Sequence, residues 1–143
     1  MPTLTILAVP VFSPLCNLAF ALRRAVFIDE QRVEDDEFDA YDLTATHFVA
    51  IVEGAVVGTL RLIETPEHTK IGRVAIAKSA RGHGYGRTLM QHAMDTARAG
   101  GQSRFALSAQ HDKTGFYQSL GFHPVSQPAD DGSGILHVEM WTY

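Results

Sequence analysis

The sequence predicts a mixed α/β fold, with a central mixed, mostly antiparallel sheet flanked by helices. Three observations carry that expectation. Segments of strand and helix character alternate as β-α-β-β-β-α-β-α-β-β, a pattern that builds one sheet with helices packed on it. Glu53-Gly54 is a two-residue turn between β-prone apolar runs, which is a hairpin signature. Residues 70–77 then feed a glycine-rich turn, an amphipathic helix and another strand, an arrangement that closes as a right-handed crossover. At 143 residues the simplest organisation is one domain over 1–143, long enough for a sizeable core.

Taken in order, residues 3–9 are short and β-prone and open the chain as a strand. Ser13-Pro14 supplies an N-cap and a proline at the first helical position. Leu15, Leu18, Ala19, Leu22 and Val26 recur behind them at helical spacing, so a helix runs to about Phe27. Residues 34–42 hold six acids in nine positions and read as a loop. That loop is either a solvated, self-repelling face or a negative rim that attracts an amine. Strands over 47–52 and 55–63 form the hairpin, and Pro66 ends it. The strand over 70–77 leads to a helix over about 84–99, marked by Leu89, Met90, Ala93, Met94 and Ala97 and stopped by Gly100-Gly101. A strand over 104–109, a short helix over 113–120 ended by Gly121, and a closing antiparallel pair over 122–125 and 135–141 complete the chain. Residues 127–134 carry Pro, Asp and Gly and read as a surface loop.

The stretch with chemistry is the glycine turn. Gly82, Gly84 and Gly86 let backbone N–H groups crowd around a ligand without Cβ clashes. The helix that follows begins with unpaired N–H donors at the positive end of its dipole, which favours an anion there. Arg81 and Arg87 flank the turn with formal positive charge. The residues therefore read as a phosphate or pyrophosphate cradle, with a purely structural tight turn as the plain alternative. A P-loop is excluded because the turn ends Gly86-Arg87-Thr88, and a dinucleotide fingerprint because Arg87 stands where its last glycine belongs.

Composition narrows the partners. The net charge of −4 argues against a general nucleic-acid binder, which would present a basic face. Cys16 is the single cysteine, so no intrachain disulfide forms and a reducing, cytoplasmic setting fits. The apolar start lacks a basic flank and is cut by Pro10 and Pro14, which argues against a signal peptide or membrane span. The seven histidines show no metal-ligand spacing, so no metal is expected.

Arg81-Gly-His-Gly-Tyr-Gly86 fits the pattern R/Q-x-x-G-x-G/A and resembles the acetyl-CoA motif of the GCN5-related N-acetyltransferases, the GNAT superfamily. Arg73-Val-Ala-Ile76 and Gly115-Phe-Tyr-Gln-Ser-Leu-Gly-Phe122 resemble two further segments of that family, and the order of elements matches along essentially the whole chain. The stretch from Arg23 to Gln31 with Val33, the acidic loop, Ala45-x-His47-Phe48, Ala109-Gln110 and residues 131–140 are similar to its ElaA-like branch. The resemblance implies direct acetyl transfer from acetyl-CoA to a primary amine. It implies that the backbone of Val74, Ala75 and Ile76 pairs with the pantetheine arm like an added strand, with the Ile76 N–H polarising the thioester carbonyl. Arg81, Gly82, His83, Gly84, Tyr85, Gly86 and Arg87 would hold the pyrophosphate. Tyr117 would protonate the leaving thiolate, its alternative reading being a core aromatic beside Phe116. Where many relatives carry an asparagine against the cofactor arm, this chain has Gln110-His111-Asp112-Lys113.

Such a reaction also wants a route for the amine proton. His47, His137, Glu64 and Glu30 are the candidate bases, each histidine has a structural role as its alternative, and an amine taken up already deprotonated or relayed through water needs no base at all. A ping-pong route through Cys16 is disfavoured because the thiol lies in an apolar helical stretch. Two rivals stay in view: a non-catalytic acyl-CoA-binding module on the same fold, and a different nucleotide binder. An exposed closing strand could support a homodimer.

Overall fold

Among the described residues, eight strands form one sheet: β1 (Leu4–Val9), β2 (Thr46–Val52), β3 (Ala55–Glu64), β4 (Thr69–Ile76), β5 (Phe105–Gln110), β6 (His123–Pro124), β7 (Ala129–Asp130) and β8 (Leu136–Trp141). Their order is β1-β2-β3-β4-β5-β8-β6, with β7 also on β8, and only β4 and β5 run parallel. The computed structural model describes residues 2–33 and 38–143. Four residues of the expected acidic loop, Glu34, Asp35, Asp36 and Glu37, lie outside the described residues.

Helix α1 (Pro14–Arg23) covers one face of the sheet and α2 (Tyr85–Ala99) the other. The α2 face holds the larger core, in which Leu89, Met90, Ala93 and Met94 pack on Phe48, Leu60, Ile71, Phe105, Leu107 and Met140. Cys16 and Ala19 pack with Val9 and Val49 on the α1 face, and Leu22, Val26 and Phe27 pack with Ala75. Ser13 starts α1 as expected: its side chain accepts from the Cys16 N–H at 3.2 Å, ahead of Pro14. The helical segment does not end in α form at Phe27. It widens into a π-helix, Arg24–Glu30, whose Val26 carbonyl receives the Gln31 N–H at 3.0 Å. Arg32, at φ 61°, then reverses the chain, and the Val33 N–H bonds back to the Phe27 carbonyl at 2.8 Å.

The last third departs further from expectation. α3 (Thr114–Gln118) is shorter than the anticipated helix and follows a single 3-10 turn, His111–Lys113. The expected strand over 122–125 contracts to β6, and part of the expected 127–134 loop pairs as β7. β8 is flanked by β5 on one side and by β6 and β7 on the other, so the closing strand is not an edge available to a second copy.

Two irregularities shape the centre of the sheet. β4 and β5 share register only at Thr69–Phe105 and Lys70–Ala106; beyond these pairs they part, leaving a wedge between Ile76 and Gln110. On its other side β4 carries a bulge, because Thr59 faces Ala75 while Arg61 faces Gly72. Arg73 sits in that bulge at φ 52°, a left-handed conformation that costs a non-glycine residue about 1–3 kcal/mol. An ion pair from Arg73 to Asp39 at 3.2 Å helps to hold it.

Candidate active site

The alternation of the β3–β4 ladder decides which backbone groups face the wedge. The Ala77 N–H donates to the Val57 carbonyl at 2.8 Å, which makes residues 57 and 77 a hydrogen-bonded pair and Gly58–Ile76 a non-bonded one. Ile76 therefore turns its N–H and carbonyl away from β3, while the Ala75 groups are directed at Thr59. Of the three residues expected to pair with a ligand backbone, Ala75 is thus not available for it. The Ile76 carbonyl accepts the Arg81 Nε–H at 3.0 Å, on the side away from β3.

The glycine turn lies at the open end of the wedge. Gly82 and Gly84 have φ of 85° and 78°, which explains glycine at both places. Gly84 is the N-cap of α2 and contributes no side-chain bond, so the N–H groups of Tyr85, Gly86 and Arg87 begin the helix without a side-chain cap. The His83 and Tyr85 rings stack 5.4 Å apart beside them. Arg87 donates to the Ser119 hydroxyl. Arg81 is engaged differently from expectation. Its guanidinium makes a bidentate pair with Glu30 at 2.7 and 2.8 Å, so its charge is largely balanced within the protein. That hydrogen bonding holds the Glu30 carboxyl below its ordinary range and raises Arg81. Glu30 is consequently a poor base.

Across the mouth stands α3. α2, β4 and α3 converge at Gly86, where a Cβ would make ordinary contact with Ile76 and Phe116, each at 3.6 Å. Tyr117 packs by its ring edges against Phe116 and Phe122. Desolvation pushes its phenol up to about 12, which keeps the hydroxyl neutral and able to donate.

On the α1 side of the wedge, Gln31 and Gln110 form a reciprocal amide pair at 3.2 and 3.0 Å. His137 is the β8 partner of Gln110 in the sheet. Its Nδ1 lies 2.7 Å from the Ile135 carbonyl, which can only accept, so Nδ1 carries a proton, and in the neutral ring the lone pair is on Nε2. Asp131 lies 3.5 Å from the same nitrogen.

Three other candidates are placed elsewhere. His47 is buried, with Nε2 2.8 Å from the Asp42 carbonyl and its ring against Phe20, so it cannot serve a substrate. Glu64 pairs with Thr69, because an antiparallel hairpin sets the end of β3 beside the start of β4. Seven residues of strand separate that point from Ile76, about 23 Å at ~3.3 Å per residue. A surface recess of about 410 Å³ lies at the same far end, lined by residues including Glu64, His68 and Arg104, away from the wedge. Cys16 is fully buried with its thiol pKa raised by desolvation, which removes it as a nucleophile.

The described part of the acidic loop is not a negative rim. Asp42 is fully buried and pairs with Arg23 and Arg61, each at 2.8 Å, and Asp39 pairs with Arg61 at 2.6 Å. Among the described residues, no three His, Cys, Asp or Glu side chains converge as a metal site. No described helix is long and apolar enough to cross a membrane.

A sheet split beside a bulged strand, with an uncapped helix N-terminus at its mouth, is the architecture of the acyl-CoA N-acyltransferases. The chain belongs to the GNAT acetyltransferase family, whose model matches residues 15–122. An uncharacterised N-acetyltransferase of Bacillus subtilis, YjcF, is 32% identical over 123 residues, covering 85% of this chain and 88% of that one. The crystal structure of Escherichia coli ElaA superposes with a TM-score of 0.86 over the full length of both chains at 27% identity. An acyl-CoA N-acyltransferase from Pseudomonas aeruginosa does so at 0.85 and 28% identity, again over both full chains. These likenesses support the ElaA-like branch and acyl-CoA-dependent N-acyl transfer as the general activity.

Proposed function

We propose that this chain is an N-acetyltransferase that moves the acetyl group of acetyl-CoA directly onto a primary amine. The observation that carries the reading is the β4–β5 wedge, with the Ile76 backbone on its wall and the α2 N-terminus at its mouth. The N–H groups of residues 82–87 face the pyrophosphate, helped by the helix dipole and by Arg87. Ile76 meets the end of the pantetheine arm through its main chain, and Val74, deeper in the wedge, lies beside the acyl group. Family membership supports acyl-CoA as donor; the choice of acetyl is this proposal's own.

The amine nitrogen attacks the thioester carbon, and the developing oxyanion is stabilised by the Ile76 N–H. His137 takes the amine proton at Nε2, with Ile135 fixing the tautomer through Nδ1–H. The C–S bond then breaks, and Tyr117 gives its hydroxyl proton to the departing CoA sulfur. The products are the N-acetyl amine and CoA. Cytoplasm is the compartment this chemistry implies, since the donor is found there.

Thermal unfolding with acetyl-CoA, CoA, ATP and NAD added separately tests the donor. A ligand at 100 times its Kd stabilises the fold by about 2.7 kcal/mol, so a shift with CoA ligands alone is expected. A shift only with ATP or NAD would overturn the reading. Acetyl-CoA turnover across an amine panel then separates an enzyme from a binding module, which would consume none.

A further inference from the structure

We infer that the Gln31–Gln110 amide pair is the stop that sets acyl-chain length, admitting a two-carbon acyl group and turning longer chains away. The inference rests on the proposal that acyl-CoA lies in the β4–β5 wedge. Counting from the Lys70–Ala106 pair, Gln110 is four residues along β5, and four residues along β4 is Val74. With the one-residue bulge allowed for, Gln110 stands level with the Val74–Ala75 stretch, where the acyl group would lie.

Three of the directions open to an acyl chain at that point are closed. Toward the strand starts, the wedge is shut by the Thr69–Phe105 and Lys70–Ala106 pairs. The α2 face is filled by Leu107, Ala109, Phe122, Phe116 and Tyr117. The mouth is the route by which the pantetheine enters. That leaves the α1 face, which the amine and the acyl chain share: the amine comes in beside His137, the β8 partner of Gln110, and the acyl chain meets the Gln31 side chain where it crosses from the π-helical segment to Gln110.

The pair is a stiff barrier. Each amide donates one N–H to the other and accepts one, so displacing either side chain breaks two hydrogen bonds in a half-buried place. Gln31 has little freedom to withdraw, because its own N–H bonds to Val26 and its neighbour Glu30 is tied to Arg81. Truncating either glutamine to alanine removes the amide and one methylene, opening room for several more acyl carbons.

The test is a ladder of CoA, acetyl-, butanoyl-, hexanoyl- and octanoyl-CoA, with Kd read from ligand-dependent unfolding of the wild type, Gln31→Ala and Gln110→Ala. In the wild type, hexanoyl-CoA should bind at least tenfold more weakly than acetyl-CoA. In each variant the two should come within threefold, with CoA itself unchanged. A wild type that binds octanoyl-CoA as tightly as acetyl-CoA would overturn the inference, as would folded variants with the wild-type ladder. The variants truncate opposite sides of the pair, so one folded variant is enough. Failure of CoA itself to bind the wild type would instead strike the wedge proposal, and the stop with it.

Discussion

The Glu30 carboxylate and the Arg81 guanidinium meet in a bidentate pair across 51 positions of sequence, tying the end of the π-helical segment to the glycine turn. The same guanidinium reaches the Ile76 carbonyl, so one arginine links helix, turn and wedge strand. Both partners are partly exposed, and pairs of that kind contribute about 0.2–1 kcal/mol. Glu30→Gln should therefore lower the melting temperature only slightly while raising KM for acyl-CoA several-fold. The Glu30 carboxyl is held low by Arg81, so the clamp is intact above the ordinary carboxylate range and is lost as pH falls through the depressed value. Acyl-CoA titration of both proteins at pH 7 checks this. Equal KM values would show that Arg81 positions nothing.

Tyr117→Phe keeps the ring contacts with Phe116 and Phe122 and removes only the hydroxyl. Turnover should fall about 10²-fold, the lower end for general acid–base help, while Kd for acetyl-CoA stays within twofold. The wild-type phenol has a raised folded pKa of about 12, so its contribution to stability is complete below its unfolded value of about 10. That contribution disappears as pH rises between those values, and the variant should lack that loss. Unchanged turnover would return Tyr117 to a packing role.

His137→Gln removes the base and retains a hydrogen-bonding side chain beside Gln110. Turnover with a fixed amine should drop about 10²-fold, and added imidazole should restore part of it. His47→Gln is the contrast. It should leave kcat nearly unchanged and lower stability, because His47 is bonded to the Asp42 carbonyl within the core. Loss of turnover in His47→Gln alone would reverse the assignment.

Much of this was legible in the residues, and the illegible parts have physical reasons. Apolar runs and periodicity marked β1 to β5, α1 and α2: each helix buries one face, while β2, β3 and β5 are buried from both sides of the sheet. The glycine turn was readable because a positive φ selects glycine at Gly82 and Gly84. The bulge was not, since an arginine at φ 52° breaks the preference that makes such positions visible. The π-helical segment keeps buried Val26 and Phe27 near helical spacing and leaves no distinct composition. Long-range pairing was also hidden. Nothing local says that Gln31 meets Gln110 or that Asp42 neutralises Arg23 and Arg61. Glu64 is the exception: a hairpin runs antiparallel, so its place at the far end followed from the turn at Pro66.

Asp42 lies fully buried between two guanidinium groups, each 2.8 Å away. Its carboxyl is held far below the ordinary range; burial opposes this, and the hydrogen bonds from Arg23, the Asp39 backbone and Arg61 outweigh it. Asp42→Asn removes the carboxylate that two buried guanidinium groups share, a change that costs about 3–5 kcal/mol. Linkage gives the sign: the contribution is present above the unfolded aspartate value and is lost as pH falls toward the depressed folded one. Stability of the wild type should decline below about pH 4, and that of Asp42→Asn should decline less steeply. Denaturant melts at pH 7 and pH 3 measure both quantities.

Two glycines separate packing from ligand binding. A Cβ on Gly58 would stand 2.9 Å from the Ile76 Cδ1 and 3.2 Å from the Ala50 Cβ. Gly58→Ala therefore overpacks the sheet at its contact with α2, at a cost of about 1–3 kcal/mol. Gly82 has open space around its missing Cβ but needs φ of 85°, which alanine adopts at a cost of about 1–2 kcal/mol. Because the turn is exposed, Gly82→Ala can relax by turning its peptide away, sparing the fold while withdrawing N–H groups from the cradle. Gly82→Ala should thus weaken CoA about tenfold, equivalent to 1.4 kcal/mol, with a melting temperature close to wild type. Gly58→Ala should show the opposite balance, with a clear loss of melting temperature and a smaller change in CoA affinity. If Gly82→Ala bound CoA as tightly as wild type, the glycine turn would be a structural bend and the anion would lie elsewhere.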